Sequence, residues 1–274
     1  MTRISCSQFA PRLADLPANI DLSVQQIREA AADDADIIVL PELATSGYMF
    51  ADREEARATA VTTDHPLFAE WAKAAGRATV VAGFCELGDD GQLYTSAAVL
   101  DRSGLRAVYR KTHLWDREKL IFTPGNEPPP VLSTPHGRIG VLICYDLEFP
   151  EMTRRLALHG ADLIAAPVNW PLLPRPSGEH PPELIIAMAA ARVNRVFIAC
   201  CDRTGEERSQ RWTEGAAIID QNGWLLTRPN EHAVTAADVD LPAARDKRLT
   251  PLADVFTDRR PGLYAPHEPS PPSR

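Results

Sequence analysis

The sequence predicts an α/β fold built on mixed sheet. Short apolar runs, each bounded by Gly, Pro or polar residues, recur along the chain, and in the first half they alternate with stretches whose apolar residues recur at helical spacing. That alternation is the pattern of a sheet covered by helices. The composition, 274 residues with 45% hydrophobic and 24% charged, suits one soluble α/β unit with a large core, and no Gly/Ser linker, charge block or internal repeat divides it.

Strands are expected near residues 3–9, 37–40, 79–86, 96–101, 105–110, 138–143, 163–167, 197–201, 216–220 and 233–239, where the apolar runs lie. Helices are expected near 19–32, 66–75, 150–159 and 182–194. In the first, Ile20, Val24, Ile27 and Ala31 recur at helical spacing, and the third opens on Pro150 and Glu151, which suit a first helical turn.

Charge and composition exclude several roles. The net charge of −8 gives no support to nucleic-acid binding. No apolar stretch approaches the ~20 residues needed to span a bilayer, and Met1-Thr2-Arg3-Ile4 runs straight into a strand, so neither a membrane nor a secretory role is expected. The five cysteines, Cys6, Cys85, Cys144, Cys200 and Cys201, are odd in number and match no zinc spacing. The seven histidines form no HxxxH or HxH pair. A reducing cytoplasm, no metal and no cofactor are the expectations.

The most informative stretch is Gly140-Val141-Leu142-Ile143-Cys144-Tyr145-Asp146-Leu147-Glu148-Phe149-Pro150-Glu151. An apolar strand stops at a cysteine, and a helix start follows within a few residues. A thiol on such a turn leaves the sheet edge near the positive end of a helix, which favours a thiolate. A lone cysteine is more often a small core hydrophobe. Two further segments change that weighing. Ile37-Ile38-Val39-Leu40-Pro41-Glu42 is a strand that Pro41 ends, with Glu42 the first charge beyond it. Ala107-Val108-Tyr109-Arg110-Lys111 is a strand ending in a cation, followed by an aromatic-rich loop to Pro124-Gly125. Glu42, Lys111 and Cys144 therefore fall at the carboxyl ends of three strands, where ligand crevices of α/β sheets lie.

At these residues the chain resembles the nitrilase superfamily of carbon–nitrogen hydrolases, through "LPELATSGY", "YRKTHLWDREKLIFTPG" and "GVLICYDLEFPE", and further through "GADLIAAPVNW" and "DRRPGLY". The resemblance implies a four-layer α-β-β-α sandwich of two mixed sheets, and an amidase-type cysteine hydrolase acting on a small-molecule amide. Glu42 would be the general base, Cys144 the nucleophile, and Lys111 the oxyanion cation together with the backbone N–H of Tyr145. A second glutamate in the lysine loop would be Glu118, with Asp116 its competitor. It also implies a homodimer or higher even oligomer, with a dimerisation segment at about 241–264 of a domain spanning 1–264. Residues 265–274, Pro-rich and polar, are expected to be a disordered tail.

The chemistry needs these residue types. An amide carbonyl is a poor electrophile, and passing through an acyl-enzyme divides one hard step into two. A thiol of pKa ~8.5 is only a few per cent ionised at neutral pH, so a base must take its proton. Asn169 and Trp170, after the 163–167 strand, and Tyr48, Trp115, Tyr145, Phe149 and Trp212 are the expected pocket walls. Amino-acid carbamoylases of the family carry arginines just after the nucleophile, whereas Leu147 and Glu148 follow Asp146 here. That leaves neutral or basic amides, and Glu148 and Glu151 suit a cationic one. Val193-Asn194, Gly215-Ala216-Ala217 and Tyr94-Thr95-Ser96 depart from the family's usual pattern without removing a catalytic group. The competing readings are a nitrilase, an N-carbamoyl amidohydrolase and a non-catalytic scaffold paralogue.

Overall fold

The computed structural model describes residues 1–227 and 234–264. Two mixed sheets form its centre. In the first, β1 (Thr2–Ser7), β2 (Ile37–Val39) and β3 (Thr79–Leu87) run parallel, while β4 (Leu93–Asp101) and β5 (Gly104–Arg110) continue antiparallel beyond β3. In the second, β6 (Val131–Thr134) pairs antiparallel with β7 (Gly137–Val141), followed by parallel β8 (Leu163–Pro167) and β9 (Phe197–Cys201), and antiparallel β10 (Ala217–Ile219). The strand β11 (Val234–Val239) returns to close the first sheet antiparallel to β1. Among the described residues no helix is long and apolar enough to cross a membrane.

Alternation along β2 shows the layering. Ile37 and Val39 join Val81, Val99, Ile139 and Leu163 in the core shared by the two sheets, while Ile38 and Leu40 join Val80 and Phe84 in a second core under the helices. A strand buried on both faces has no polar side, which is why Ile37-Ile38-Val39-Leu40 is a continuous apolar run. The second core packs against α1 (Leu16–Ala32) through Val24 and Ile27, and against α2 (Leu67–Ala75) through Phe68 and Trp71. The helices α3 (Pro150–Leu158) and α4 (Pro182–Asn194) bury Leu156, Leu184 and Ala187 in the core of the second sheet. The result is the four-layer α-β-β-α sandwich.

The strands and helices fall close to the expected ranges, and the structure adds others, among them β6, a 3₁₀ turn at Cys144 and the short helices Arg53–Arg57 and Glu118–Ile121. The strand β6 follows Pro128-Pro129-Pro130 and is an edge strand whose residues are only partly buried, so it lacks an apolar run. The residues after β7 form a 3₁₀ turn, Cys144–Glu148, rather than leading directly into α3. Residues 265–274, the expected tail, lie outside the described residues.

Gly83 positions the site from below. A β-carbon there would stand 2.5 Å from both Glu42 Cα and Pro41 O and 2.7 Å from Leu43 N, all of them backbone. The chain at Pro41–Leu43 lies directly on β3, held by Gly83 N–H donating to Pro41 O at 3.1 Å and Ala44 N–H donating to Gly83 O at 3.0 Å. Gly83→Ala must push the Glu42 turn off the sheet. It should cost about 1–3 kcal/mol in urea unfolding, the range for overpacking a close-packed site, whereas Gly262→Ala, with nothing within 4 Å of its β-carbon and no left-handed backbone, should stay within about 0.5 kcal/mol of wild type.

Candidate active site

The three strand ends converge. The antiparallel steps from β3 through β4 return β5 to the direction of β2, so the carboxyl ends of β2 and β5 share one edge of the first sheet. Lys111 directly follows β5, and its backbone N–H donates to Thr95 O at 2.8 Å while its carbonyl accepts from Gly125 N–H at 2.8 Å. The second sheet reaches the same place from the other side. Glu42 N–H donates to Val168 O at 3.4 Å, and Asn169 Nδ2 donates to Glu42 O at 2.9 Å.

Two of the turns carry a non-glycine residue in left-handed backbone: Leu43 at φ 50° and Cys144 at φ 45°. Such a conformation costs on the order of 1–3 kcal/mol and persists only where neighbours enforce it. At Cys144 the enforcing residue is Asp146, which is fully buried. Its Oδ2 accepts from Ile143 N–H at 3.1 Å and from the Tyr109 hydroxyl at 2.9 Å. Its Oδ1 accepts from His113 N–H at 3.0 Å and lies 2.8 Å from His113 Nδ1. One carboxylate thus ties the cysteine turn to both sides of Lys111.

Lys111 is wholly buried between two carboxylates, its Nζ 2.7 Å from Glu42 Oε1 and 2.7 Å from Glu118 Oε1. Burial would discharge the amine, but Glu118 and Glu42 outweigh it and hold Lys111 well above the ordinary lysine value. Glu118 is fixed in turn: its Oε1 accepts from the Tyr48 hydroxyl at 2.6 Å and its Oε2 from Trp115 N–H at 2.8 Å. Asp116, the competing acid in this loop, is exposed to solvent.

Glu42 is also wholly buried. Desolvation pushes its carboxyl up to about 8; Lys111 opposes this and Glu118 adds to it. Its Oε2 has no hydrogen-bond partner among the described residues. Burial also pushes the Cys144 thiol well up, and the charge of Glu42 pushes it further, against Lys111. This corrects the expectation of a thiolate favoured by a helix start. The element opening at Cys144 is a five-residue 3₁₀ turn in a buried place, so the thiol rests neutral beside a carboxyl that titrates near neutrality. The pair can exchange a proton on demand, with a fixed cation beside it for a developing negative charge.

A cavity of about 430 Å³, including its open mouth, adjoins Cys144 and is lined by Trp115, Tyr145, Leu147, Glu148, Asn169, Trp170, Pro171 and Glu183. Four of the expected wall residues are there: Trp115, Tyr145, Asn169 and Trp170. Three are not. Tyr48 turns its hydroxyl to Glu118. Trp212 packs edge-on to Tyr48, ring centroids 5.3 Å apart, and Phe149 lies behind Tyr145, stacked on His113 at 3.6 Å.

Several supporting residues carried no sequence signal. Glu207 Oε2 accepts from Tyr48 N–H at 2.9 Å and Met49 N–H at 3.0 Å, and its other oxygen pairs with the buried Arg203. Asp202 accepts from Trp170, Arg203 and Gly215 N–H groups at 2.8–3.0 Å; burial nevertheless pushes its carboxyl up to about 7. In the sequence these acids belong to a polar loop far from any motif, and only the fold brings them under Tyr48 and Trp170.

Comparison with known proteins yields one family. The model of the family described as carbon-nitrogen hydrolase matches residues 3–248. A nitrilase of Pyrococcus abyssi is 35% identical over 272 residues, covering 96% of this chain and 99% of that protein. The 2-oxoglutaramate amidase of Bacillus subtilis is 30% identical over 265 residues, covering 95% and 98%. Among solved structures, a Glu-to-Gln variant of the amidase from Nesterenkonia sp. AN1, bearing the product of Michael addition of acrylamide at its active-site cysteine, superposes with a TM-score of 0.80. It is 26% identical, covering 96% of this chain and 98% of that one.

The site geometry has a pH signature. The carboxylate form of Glu42 accepts the thiol proton, and its acid form persists up to about 8. Alkylation of Cys144 by iodoacetamide, followed by mass spectrometry, should therefore accelerate as pH rises and level off above about 8. Glu42→Gln should slow it by about 10²-fold at neutral pH and remove the plateau, since the thiol must then ionise unaided. A profile identical in both proteins would refute the coupling.

Proposed function

The chain belongs to the carbon–nitrogen hydrolase family, and from that premise we propose that it hydrolyses a small carboxamide to a carboxylic acid and ammonia through a thioester on Cys144. The observation that carries this reading is the buried Lys111, 2.7 Å from both Glu42 and Glu118, with the Cys144 thiol beside Glu42.

In the first half-reaction Glu42 takes the thiol proton as sulfur attacks the carbonyl carbon. The carbonyl oxygen becomes an oxyanion, met by Lys111 and the backbone N–H of Tyr145. Glu42 then delivers its proton to the amide nitrogen, the C–N bond breaks, and ammonia leaves. In the second half-reaction Glu42 takes a proton from water as the oxygen attacks the thioester carbon, and the same proton returns to sulfur as the C–S bond breaks. Glu118 holds Lys111 in place and Tyr48 holds Glu118, so neither needs to touch the reacting atoms. A neutral resting thiol suits this scheme, because the base is poised to take the proton only as the carbon–sulfur bond forms.

The adduct on the active-site cysteine of the Nesterenkonia amidase supports the nucleophile assignment by similarity. The even-numbered assembly belongs to the same reading: Leu252, Leu263 and Tyr264 stand exposed in segment 241–264 and suit a contact with a second copy.

Ammonia release from a panel of carboxamides, N-carbamoyl compounds and nitriles tests the reaction class. The wild-type chain should release ammonia from carboxamides, with Cys144→Ala lowering the rate by about 10³-fold or more. An acyl group should be trapped on Cys144 in quenched turnover. Turnover of nitriles alone would replace the amidase reading with a nitrilase, and equal rates in the two proteins would remove Cys144 from the chemistry.

A further inference from the structure

The catalytic cavity is negatively charged at its mouth, and this deepens the amidase reading, on which it rests. Glu148 closes the 3₁₀ turn that begins at Cys144, and Glu183 sits in the first turn of α4. Both line the cavity that contains Cys144. At a rise of about 2 Å per residue, that turn carries Glu148 about 8 Å from the nucleophile along its axis.

Among the described residues that line the cavity there is no lysine, arginine or histidine to pair with these acids. Partial desolvation and then repulsion from Glu183 push the Glu148 carboxyl up, so the two acids are close enough to oppose each other's charge. The wall beside them is aromatic, from Trp115, Tyr145 and Trp170. Aromatic faces with carboxylates are the surroundings in which an organic cation is bound.

A second observation comes from deeper in the cavity. Asn169 is 1% exposed and its Nδ2 is engaged by Glu42 O, but its Oδ1 has no hydrogen-bond partner among the described residues. A buried acceptor left alone is costly unless a ligand donates to it. The cavity thus offers an acceptor near the nucleophile and two anions at its rim.

We propose that the substrate is a small carboxamide with an ammonium group at the far end of a short alkyl chain. The carboxamide would lie at Cys144, its N–H groups toward Asn169, and the ammonium between Glu148 and Glu183.

Three amides of matched length test this: 5-aminopentanamide, its uncharged isostere hexanamide, and the anionic glutaric acid monoamide. Wild type should favour the amine over hexanamide by about tenfold or more in kcat/KM, chiefly through KM, and turn over the anion least. Glu148→Gln/Glu183→Gln should bring the amine-to-hexanamide ratio close to one. Glu148→Lys should raise turnover of the anionic amide above wild type, a gain that misfolding cannot produce. Hydrolysis of hexanamide or the anion as efficiently as the amine would overturn the cationic class while leaving the amidase reading intact. No ammonia from any of the three, or from the wider carboxamide panel, would overturn both.

Discussion

A buried lysine held between two carboxylates is the constraint around which this molecule is organised. Removing such groups from water costs several kcal/mol per ion, and their mutual attraction repays it only when the geometry is maintained. The fold supplies that maintenance from several directions. Gly83 lets the Glu42 turn lie on β3, Gly125 lets the chain beyond the lysine loop close against Arg110 backbone, and Tyr48 and Trp115 fix the two oxygens of Glu118. None of these groups is asked to react, yet each helps to set where an ammonium group and its counter-ions stand.

The cost of the arrangement is confined to a few residues. Leu43 and Cys144 occupy left-handed backbone without being glycine, and Asp146 spends all its acceptor capacity holding the second of these turns against Tyr109 and His113. Strain stored at a nucleophile is useful if it keeps the sulfur pointed at one place. The electrostatics point the same way: burial keeps both the thiol and Glu42 protonated longer than usual, and Lys111 keeps its charge because two acids face it. Proton exchange between sulfur and carboxylate then needs no rearrangement of the cation that would receive the oxyanion.

The fold was legible in the sequence wherever burial was two-sided. Runs such as Ile37-Ile38-Val39-Leu40 and Val196-Phe197-Ile198-Ala199 are too short for a helix and rich in β-branched and aromatic residues, which marks a strand covered on both faces. The edge strand β6 was not legible, because an edge needs no such run. Glu42, Lys111 and Cys144 were legible as candidates because each stands at the carboxyl end of a strand, and Glu118 was a candidate through the family resemblance, with Asp116 beside it in the same loop. Glu207 and Arg203 were not: Glu207 meets Tyr48 N–H from 159 residues away and Arg203 reaches Pro11 O from 192 away, and no local pattern marks a side chain for a distant backbone group. The pocket walls were legible in part, since an aromatic residue near a motif can equally face the ligand, as Trp115 does, or buttress the groups that do, as Phe149 and Trp212 do.

On the proposed reading, chemistry and selectivity rest on residues with different surroundings. Glu42, Lys111 and Cys144, the groups assigned to the chemistry in that reading, follow β2, β5 and β7 and are held by buried hydrogen bonds, so a change at any of them disturbs the rest. Glu148 and Glu183 belong instead to the turn after the nucleophile and to the start of an outer helix, with solvent on one side. Substitutions there alter the charge that the cavity presents without touching the Lys111 cluster. On that reading the charge of the accepted amide can change at Glu148 and Glu183 while the buried Lys111 cluster stays as it is, because neither rim acid shares a hydrogen bond with that cluster among the described residues.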